Sequence, residues 1–223
     1  RFALWVVPVQ SVAALALAIW VNGPGWSRRG LRVAVFLPTV LSLTVTSVVW
    51  RLLLEPAHAG GGGMFNGLLT LLHLPAQPFL TSPRQAMACI IVMSIWQGVG
   101  FQMMIFLAGL QTIPEAHHEA ATLDGAGRGR RFMHVTLPGI APTAVVVVTL
   151  TSIFALKLFV QPYLMTRGGP MGSTQTLVQY MFRAAFTRRD LGIACAAGVL
   201  FLIAVGAVTL VQRWAGRRWE EVA

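Results

Sequence analysis

The stretch PEAHHEAATLDGAGRGRR, from Pro114 to Arg131, concentrates acids, histidines and arginines. His118 and Glu119 begin a pattern close to the H-E-x-x-H helix of zinc proteases. In that helix two histidines one turn apart hold the metal and the glutamate acts as the base. Here Thr122 stands where the second histidine is required. A zinc site would lack a ligand, so the stretch does not predict a metalloprotease, and we expect no metal site.

Other catalytic chemistry is not supported either. The glycine-rich segment AGGGG at 59–63 is not followed by the lysine that a P-loop places on the phosphates, and the only lysine is Lys157. An intramembrane hydrolase would need a nucleophile and a base in register, and no histidine lies in the long apolar runs described next. We therefore expect no ATPase and no other enzyme in this chain.

The elements that must position these residues are unusually apolar. The chain is 56% hydrophobic and 11% charged, with a mean hydropathy of +0.69, whereas about a quarter of a soluble domain is charged. An apolar helix of about 20 residues crosses the roughly 30 Å hydrocarbon core. Barrel strands alternate in polarity, and AVVVVTLTSIFAL does not. These observations predict an all-α polytopic membrane protein with five spans: Phe2–Val21, Val33–Trp50, Gln85–Pro114, Val135–Leu156 and Leu191–Gln212.

The net charge of +10 does not indicate nucleic acid, because the arginines lie in the gaps between apolar runs, as in membrane proteins. If the first and third gaps and the tail are cytoplasmic, that side has only slightly more arginines than the other. The positive-inside rule therefore leaves the orientation open. Cys89 and Cys195 both lie in apolar runs, which predicts two buried thiols rather than a disulfide or a metal pair.

The charged stretch has local signals for a helix, a turn and a second helix. Thr112 to Glu115 fits a capping box, with a hydroxyl at the N-cap and a glutamate at N3. Glu115 and Glu119 then share one face, and Asp124-Gly125 can end the helix because glycine tolerates the left-handed conformation. RGRRFMHVT predicts a second short helix that ends at Leu137-Pro138. An ordinary solvated loop remains the alternative. Further on, STQTLVQYMFRAAF has helical apolar spacing, which predicts an interfacial amphipathic helix.

One spacing carries a family resemblance. Glu119-Ala120-Ala121, three residues, Gly125, nine residues and Val135-x-Leu137-Pro138 resemble the EAA loop of the membrane subunits of binding-protein-dependent ABC importers. Val135 stands where isoleucine is usual. Other segments resemble the carbohydrate branch of that family, the maltose-type and glycerol-phosphate-type permeases, from about Phe2 to Arg213. They are FLPTVLSLTVTSVVWRLLLEP, IWQGVGFQMMIFLAGLQTIP, MTRGGPMGSTQTLVQYMFRAAF and DLGIACAAGVLF.

The resemblance implies a single permease domain over residues 1–223, with a cytoplasmic coupling loop at 112–138. Its short helix would dock on an ATPase subunit, with Glu119 as a polar contact and Gly125 as the turn. The residues implied in coupling are Glu115, Glu119, Ala120, Ala121, Asp124, Gly125, Leu137 and Pro138. The implied partners are a second homologous permease, an ATPase dimer that binds ATP and magnesium, an extracytoplasmic solute-binding protein and the lipid of the cytoplasmic membrane. This chain would bind no cofactor of its own.

The same resemblance implies a transported sugar or sugar-phosphate-like solute. Lys157 lies at membrane depth, where a charge is costly and usually faces a cavity, although a snorkelling role is an alternative. Polar and aromatic side chains that could meet a sugar are Gln161, Trp96, Gln97, Gln102 and Met103. Glutamines also join membrane helices to one another, so their role stays open. The turn Met165-Thr166-x-Gly168-Gly169-Pro170 would lie outside, near the binding protein.

The alternative within the transporter class is an ion-coupled secondary carrier. Such a carrier should have acids inside its spans, and all seven acids lie outside the five runs. Members of the resembled family usually have six core helices. We therefore expect the first of these to be missing from this sequence, although a true five-helix variant is also conceivable.

Overall fold

The computed structural model describes residues 1–56 and 62–220, with side chains as far as Gly216, so most of the AGGGG segment lies outside the described residues. Within these ranges all regular structure is helical, which confirms the all-α prediction. Short π turns cover Phe132–Thr136 and Arg183–Thr187, and Phe79–Thr81 is a 3-10 turn. The helices are α1 Phe2–Val21, α2 Trp26–Val40, α3 Leu43–Leu53, α4 Met64–Leu71, α5 Ala86–Gln111, α6 Glu115–Leu123, α7 Arg128–Arg131, α8 Leu137–Leu156, α9 Val160–Met165, α10 Leu177–Phe182 and α11 Leu191–Glu220.

Four helical segments of the described chain are long and apolar enough to cross a membrane. They correspond to the first, third, fourth and fifth predicted runs, and a bent helix pair makes a fifth candidate. The four segments are Phe2–Val21, Ala86–Gln111, Arg128–Met165 and Leu191–Gly216. The chain is therefore an all-helical protein with four to five candidate spans, as the apolar runs predict.

The second predicted run, Val33–Trp50, is not one straight helix. It is divided into α2 and α3, which meet at an angle of 96°. Pro38 lies in the last turn of α2 and has no amide hydrogen to donate to the Ala34 carbonyl, which weakens this end of the helix. Ser42 then leaves the helical region, with φ −57° and ψ 127°, and its carbonyl accepts from the Thr46 amide at 2.9 Å to start α3. Apolar composition alone does not predict this break.

The chain folds into two compact units, each built from separate stretches of sequence. The first contains Arg1–Phe2, Val40–Trp96 and Phe154–Val205, and the second contains Ala3–Thr39, Gln97–Ile153 and the chain from Gly206 on. The core of the second unit combines α1, α5 and α8. Its buried members are Ala14, Ala18, Val21, Met103, Phe106, Leu107, Leu110, Ile140 and Val147.

In the second unit the main chains of α2 and α5 come very close together. A Cβ atom on Gly100 would overlap the Val35 carbonyl oxygen and lie 2.9 Å from the Phe36 Cα atom. Small residues allow such close approach in membrane helix packing. The absence of a side chain at Gly100 is therefore what permits this crossing.

Arg32 closes the carboxyl end of α1. Its Nη2 donates to the carbonyl oxygens of Val21 at 2.7 Å and Gly23 at 3.1 Å, and its Nε donates to Val21 at 3.2 Å. The last carbonyls of a helix have no partner within it, so a guanidinium is a suitable cap there. Arg32 thus connects the turn after α1 to the start of α2.

The first unit is organised around α3, α4 and α9. Helix α3 packs against α9, and Trp50 of α3 contacts the Phe65 and Trp96 rings with centroids 6.0 and 5.7 Å away. Asn66 of α4 is buried, and its side-chain oxygen accepts from the Gln77 amide at 2.9 Å. Its amide nitrogen donates to the carbonyls of Glu55 and Gln77, both at 3.1 Å. One side chain therefore connects two segments of the connection between α3 and α5.

Two smaller predictions have different outcomes. The helix predicted over STQTLVQYMFRAAF is found as α10 and its following π turn, and Thr176 caps it by accepting from the Gln179 amide. The prediction of two buried thiols is wrong, because Cys195 is exposed and Cys89 is only partly buried. An apolar run in lipid can present residues outwards, so apolar surroundings in sequence do not imply burial.

Candidate functional site

The charged stretch forms helix α6 with a glycine-terminated end. The Gly125 φ angle is +72°, its amide donates to the Thr122 carbonyl at 3.0 Å, and the Ala126 amide donates to the Ala121 carbonyl at 2.9 Å. This pair of bonds is the Schellman motif, which requires the left-handed conformation at the residue after the cap. The prediction that Asp124-Gly125 ends the helix is confirmed.

The predicted capping box at the start of α6 is wrong. The N-cap position is Pro114, and no side chain caps the helix there. The Thr112 hydroxyl instead donates to the Gly109 carbonyl at 2.8 Å, in the last turn of α5. The Gly109 carbonyl also accepts from the Thr112 amide at 3.3 Å, so both donors of Thr112 bind the end of α5 and its hydroxyl does not cap α6.

The return from α6 to the membrane is continuous helix. Residues 128–131 form α7, the π turn follows, and the Leu137 amide donates to the Phe132 carbonyl where α8 begins. The predicted stop at Leu137-Pro138 is therefore wrong. Pro138 is the second residue of α8 and has no amide hydrogen to donate, yet the helix continues through it directly from the π turn.

Helices α6 and α7 are connected by side chains. The Arg131 Nη1 atom donates to the Thr122 hydroxyl oxygen at 2.8 Å, and the Thr122 hydroxyl donates to the His118 carbonyl at 2.7 Å. Both residues lie near the surface, so each bond contributes little stability. Together with the Gly125 turn, they set the direction of α6 relative to the helix that leads into α8.

The structure places the predicted coupling residues at the surface of this loop. Glu115, Glu119, Ala120, Asp124 and Gly125 are exposed. The remaining three, which are half-buried, are Ala121, Leu137 and Pro138.

Two exposed apolar side chains on this loop were missed by the sequence reasoning. Leu123, at the end of α6, is 89% exposed, and Met133 is 59% exposed. An apolar residue inside a charged, non-membrane segment is the signal that could have found Leu123. Single exposed apolar residues are common on protein surfaces, so it is their position on this loop that makes Leu123 and Met133 candidates for a protein contact.

The fold also brings separate parts of the loop together. A cleft of about 480 Å³ is lined by Thr112 to Pro114 and His117 on one side and by residues 134–142 on the other. Val135 and Pro138 therefore lie beside the start of α6, although they follow it by many residues. Within the described ranges, no group of three or more His, Cys, Asp or Glu side chains could hold a metal ion.

The candidate solute-path residues are divided between the units. Gln97, Gln102 and Met103 belong to the second unit, where all three are buried. Gln102 donates through Nε2 to the Thr151 hydroxyl of α8, and Met103 packs in the apolar core. These contacts are those of helix packing, and a contact with solute stays a prediction for all three.

Trp96, Lys157 and Gln161 belong to the first unit. Lys157 lies where the helix breaks, because α8 ends at Leu156, Phe159 has φ −141° and ψ −55°, and α9 begins at Val160. Its side chain is exposed, Trp96 is 40% exposed, and Gln161 is half-buried. The sequence predicts a charge inside a span, and the structure places that charge at an interruption of the helix.

Comparison with solved structures gives the same fold. A bacterial ABC transporter involved in the import of the acidic polysaccharide alginate matches with a TM-score of 0.85 and 24% identity, over 97% of this chain and 77% of the other. A bacterial alginate ABC transporter in complex with an alginate pentasaccharide-bound periplasmic protein also matches with a TM-score of 0.85. These two likenesses show that the chain shares the fold of those structures.

Known sequences then give the family. The family model described as binding-protein-dependent transport system inner membrane component matches residues 4–221. The chain belongs to this family, and it is therefore a multi-pass inner-membrane component of a transport system rather than a catalytic subunit.

Individual relatives agree with this. The sulfoquinovosyl glycerol transport system permease protein SmoG of Agrobacterium fabrum is 35% identical over 208 residues, 93% of this chain and 66% of the relative. The trehalose/maltose transport system permease protein MalF of Thermococcus litoralis is 31% identical over 216 residues, 97% of this chain and 72% of the relative. The probable ABC transporter permease protein YurN of Bacillus subtilis is 34% identical over 183 residues. The chain spans only 61% and 66% of the length of YurN and SmoG, respectively.

Proposed function

We propose that the chain is a permease subunit of an ATP-driven ABC importer that moves a sugar or sugar-phosphate-like solute across the cytoplasmic membrane. The observation that carries this proposal is helix α6, an exposed helix outside the apolar segments, which ends in a glycine turn and is followed by α7, itself continuous with α8. The permease names of relatives that transport trehalose/maltose or sulfoquinovosyl glycerol support the carbohydrate class.

In this proposal α6 is the coupling helix. ATP and magnesium bind to a partner ATPase dimer, and closure of that dimer pushes α6, with Leu123 and Glu119 on the docking surface. The turn at Gly125 and the Arg131–Thr122 hydrogen bond pass the push to α7 and then to α8. A packed bundle switches between discrete arrangements, so the push changes the side of the membrane to which the solute path opens.

The remaining partners follow from the same mechanism. A second homologous permease completes the path, and an extracytoplasmic solute-binding protein delivers the solute on the side opposite to the ATPases. With α6 cytoplasmic, the connection between α3 and α5 and the turn after α9 lie on the outer side. This assignment gives the orientation that arginine positions leave undecided.

Replacing Gly125 with valine tests the coupling role. The site has open space for a side chain but a φ of +72°, so valine meets backbone strain alone. A left-handed residue other than glycine costs ~1–2 kcal/mol, and 1.4 kcal/mol corresponds to about a tenfold change. We expect ATP-driven uptake into proteoliposomes to fall about tenfold or more, and less ATPase subunit to co-purify.

The matched control is Gly127→Val, two residues further on. Gly127 has φ −65° and ψ 167°, which any residue adopts, and it too has open space. Gly125→Asn should retain more transport than valine, because asparagine tolerates the left-handed region. If Gly125→Val and Gly127→Val transport equally well, α6 is not the coupling helix.

Lys157 tests the solute path independently. A lysine at membrane depth costs ~2.5–3.5 kcal/mol, and such residues usually face a cavity. We expect Lys157→Gln to change the KM of uptake several-fold, whereas ATPase co-purification stays at the wild-type level. Lys157→Arg, which keeps the charge, is the control and should remain closer to wild type. Identical uptake kinetics in all three proteins would leave Lys157 as a snorkelling residue.

A further inference from the structure

A second cleft, away from the coupling loop, is lined by charged residues that the proposed function does not use. It has a volume of about 620 Å³ and is lined wholly by residues of the first unit, from α3 and the segment after it, from Leu80 and Thr81, and from the end of α9 and its following turn. Two arginines, Arg51 and Arg167, and one acid, Glu55, are among the residues that line it. Its size is within the range of about 300–1,000 Å³ that small-molecule sites occupy.

The main chain at Arg167 is held in place by the turn after α9. Its φ of +51° is unusual for a residue other than glycine, and such residues tend to occur at binding sites, held by their surroundings. Next to it, the Thr166 and Thr174 hydroxyls are 2.6 Å apart, and the Thr174 hydroxyl donates to the Gly169 carbonyl at 2.8 Å. The guanidinium of Arg183 donates to the Arg167 carbonyl. The turn is therefore held before any ligand arrives.

An exposed apolar strip begins at the same cleft. Val45, Val48, Val49 and Leu52 are all exposed, and their spacing puts them on one face of α3 over about 10 Å. Val48 and Leu52 also line the cleft, so the strip and the charged wall are continuous. A ligand that matches both has an anionic head and an apolar tail.

We propose that this cleft binds an anionic phospholipid. The phosphodiester lies between Arg51 and Arg167, because a guanidinium donates two parallel hydrogen bonds to phosphate oxygens. Glu55 accepts hydrogen bonds from the hydroxyls of a glycerol head group, and one acyl chain covers the strip on α3. Free phosphate or an acidic sugar could bind the arginines, but neither would cover the apolar strip on α3. A phospholipid can do both and is therefore favoured.

The experiment uses the complete transporter, purified and depleted of lipid in detergent. Its thermal midpoint is measured with dioleoyl phosphatidylglycerol, dioleoyl phosphatidylcholine, inorganic phosphate and glucuronate, and native mass spectrometry records which lipid is retained. We expect phosphatidylglycerol alone to raise the midpoint and to stay bound. Equal responses to the two lipids, or no response to either, would overturn the proposal without any variant. The same rise with phosphate or glucuronate would make it a soluble-anion site and would overturn it as well.

Variants locate the effect. Arg51→Gln with Arg167→Gln should weaken phosphatidylglycerol binding by about a hundredfold, because each of the two charge-assisted contacts contributes about tenfold or more. Arg84→Gln is the matched control, since Arg84 is exposed on the connection before α5 and does not line the cleft. Equal loss in the control and in the double variant would contradict the assignment to this cleft.

Discussion

The Asn66→Asp variant is expected to lose much of its stability, although the two side chains have nearly the same shape. The substitution replaces the Nδ2 donor, which faces the carbonyls of Glu55 and Gln77, with an oxygen that can only accept. Asn66 is 1% exposed, so a carboxylate there would be buried against two carbonyl oxygens. The Glu55 carbonyl would keep the Gly63 amide as a donor, whereas the Gln77 carbonyl would lose Asn66. An unpaired buried group costs about 1–3 kcal/mol, and a buried charge costs more.

We expect the unfolding free energy to fall by at least about 3 kcal/mol, which corresponds to a thermal midpoint lower by roughly 6–12 °C. The measurement is a fluorescence-detected size-exclusion melt of the complete permease. Asn22→Asp is the control, because Asn22 is exposed in the turn after α1 and is the only other asparagine. If the two variants have the same thermal midpoint, Asn66 does not stabilise the connection between α3 and α5.

The Gly100→Ala variant is expected to be the second most damaging change. The new Cβ would overlap main-chain atoms of α2, namely the Val35 carbonyl oxygen and the Phe36 Cα atom. Main-chain atoms cannot move aside as a flexible side chain can, so α2 and α5 must separate. Overpacking of this kind costs about 1–3 kcal/mol, and a lower thermal midpoint in the same melt would measure it.

Two further variants separate the crossing from helix propensity. Gly206→Ala in α11 has open space around its new Cβ, so it should melt at or above the wild-type temperature, because alanine favours a helix by about 1 kcal/mol over glycine. Val35→Ala should not rescue Gly100→Ala, since the obstructing atoms belong to the backbone. Rescue would show that a side chain, and not the main chain, limits the approach.

The long helices and the glycine turn could be predicted because they depend on local composition. About 20 apolar residues must be helical in lipid, and glycine at position 125 is the residue that a left-handed turn prefers. The break at Leu41-Ser42 could not be predicted in the same way. It depends on the ψ angle of one residue, Ser42, whereas hydropathy is an average over the whole apolar run and does not report backbone angles. The role of Thr112 was predicted wrongly because its hydroxyl can bind either the end of α5 or the start of α6. Which of the two it binds depends on where α5 ends.

The candidate site shows the same limit. The EAA-like spacing predicted the position of the loop in the sequence. It did not predict that Leu123 is exposed, or that Pro114 and Pro138 line the same cleft. Gln102 is polar and Met103 is polarisable, which suggested contact with a solute. In the structure Gln102 hydrogen-bonds to α8 and Met103 packs in the apolar core. Which face of a membrane helix meets lipid, a neighbouring helix or a cavity depends on its rotation, which apolar runs without periodicity do not specify.

The π turn at Phe132–Thr136 sets the rotation of α7 relative to α8 about their common helical path. A π turn holds one residue more than an α turn, and one residue corresponds to about 100° of azimuth. The basic residues of α7 and the core-facing residues of α8 are therefore out of phase by one position. Because the helix is unbroken from α7 to α8, removing that one residue would turn the arginines of α7 by about 100° relative to Ile140 and Val147, which pack in the core. The π turn therefore sets the azimuth at which the arginines of the loop are presented.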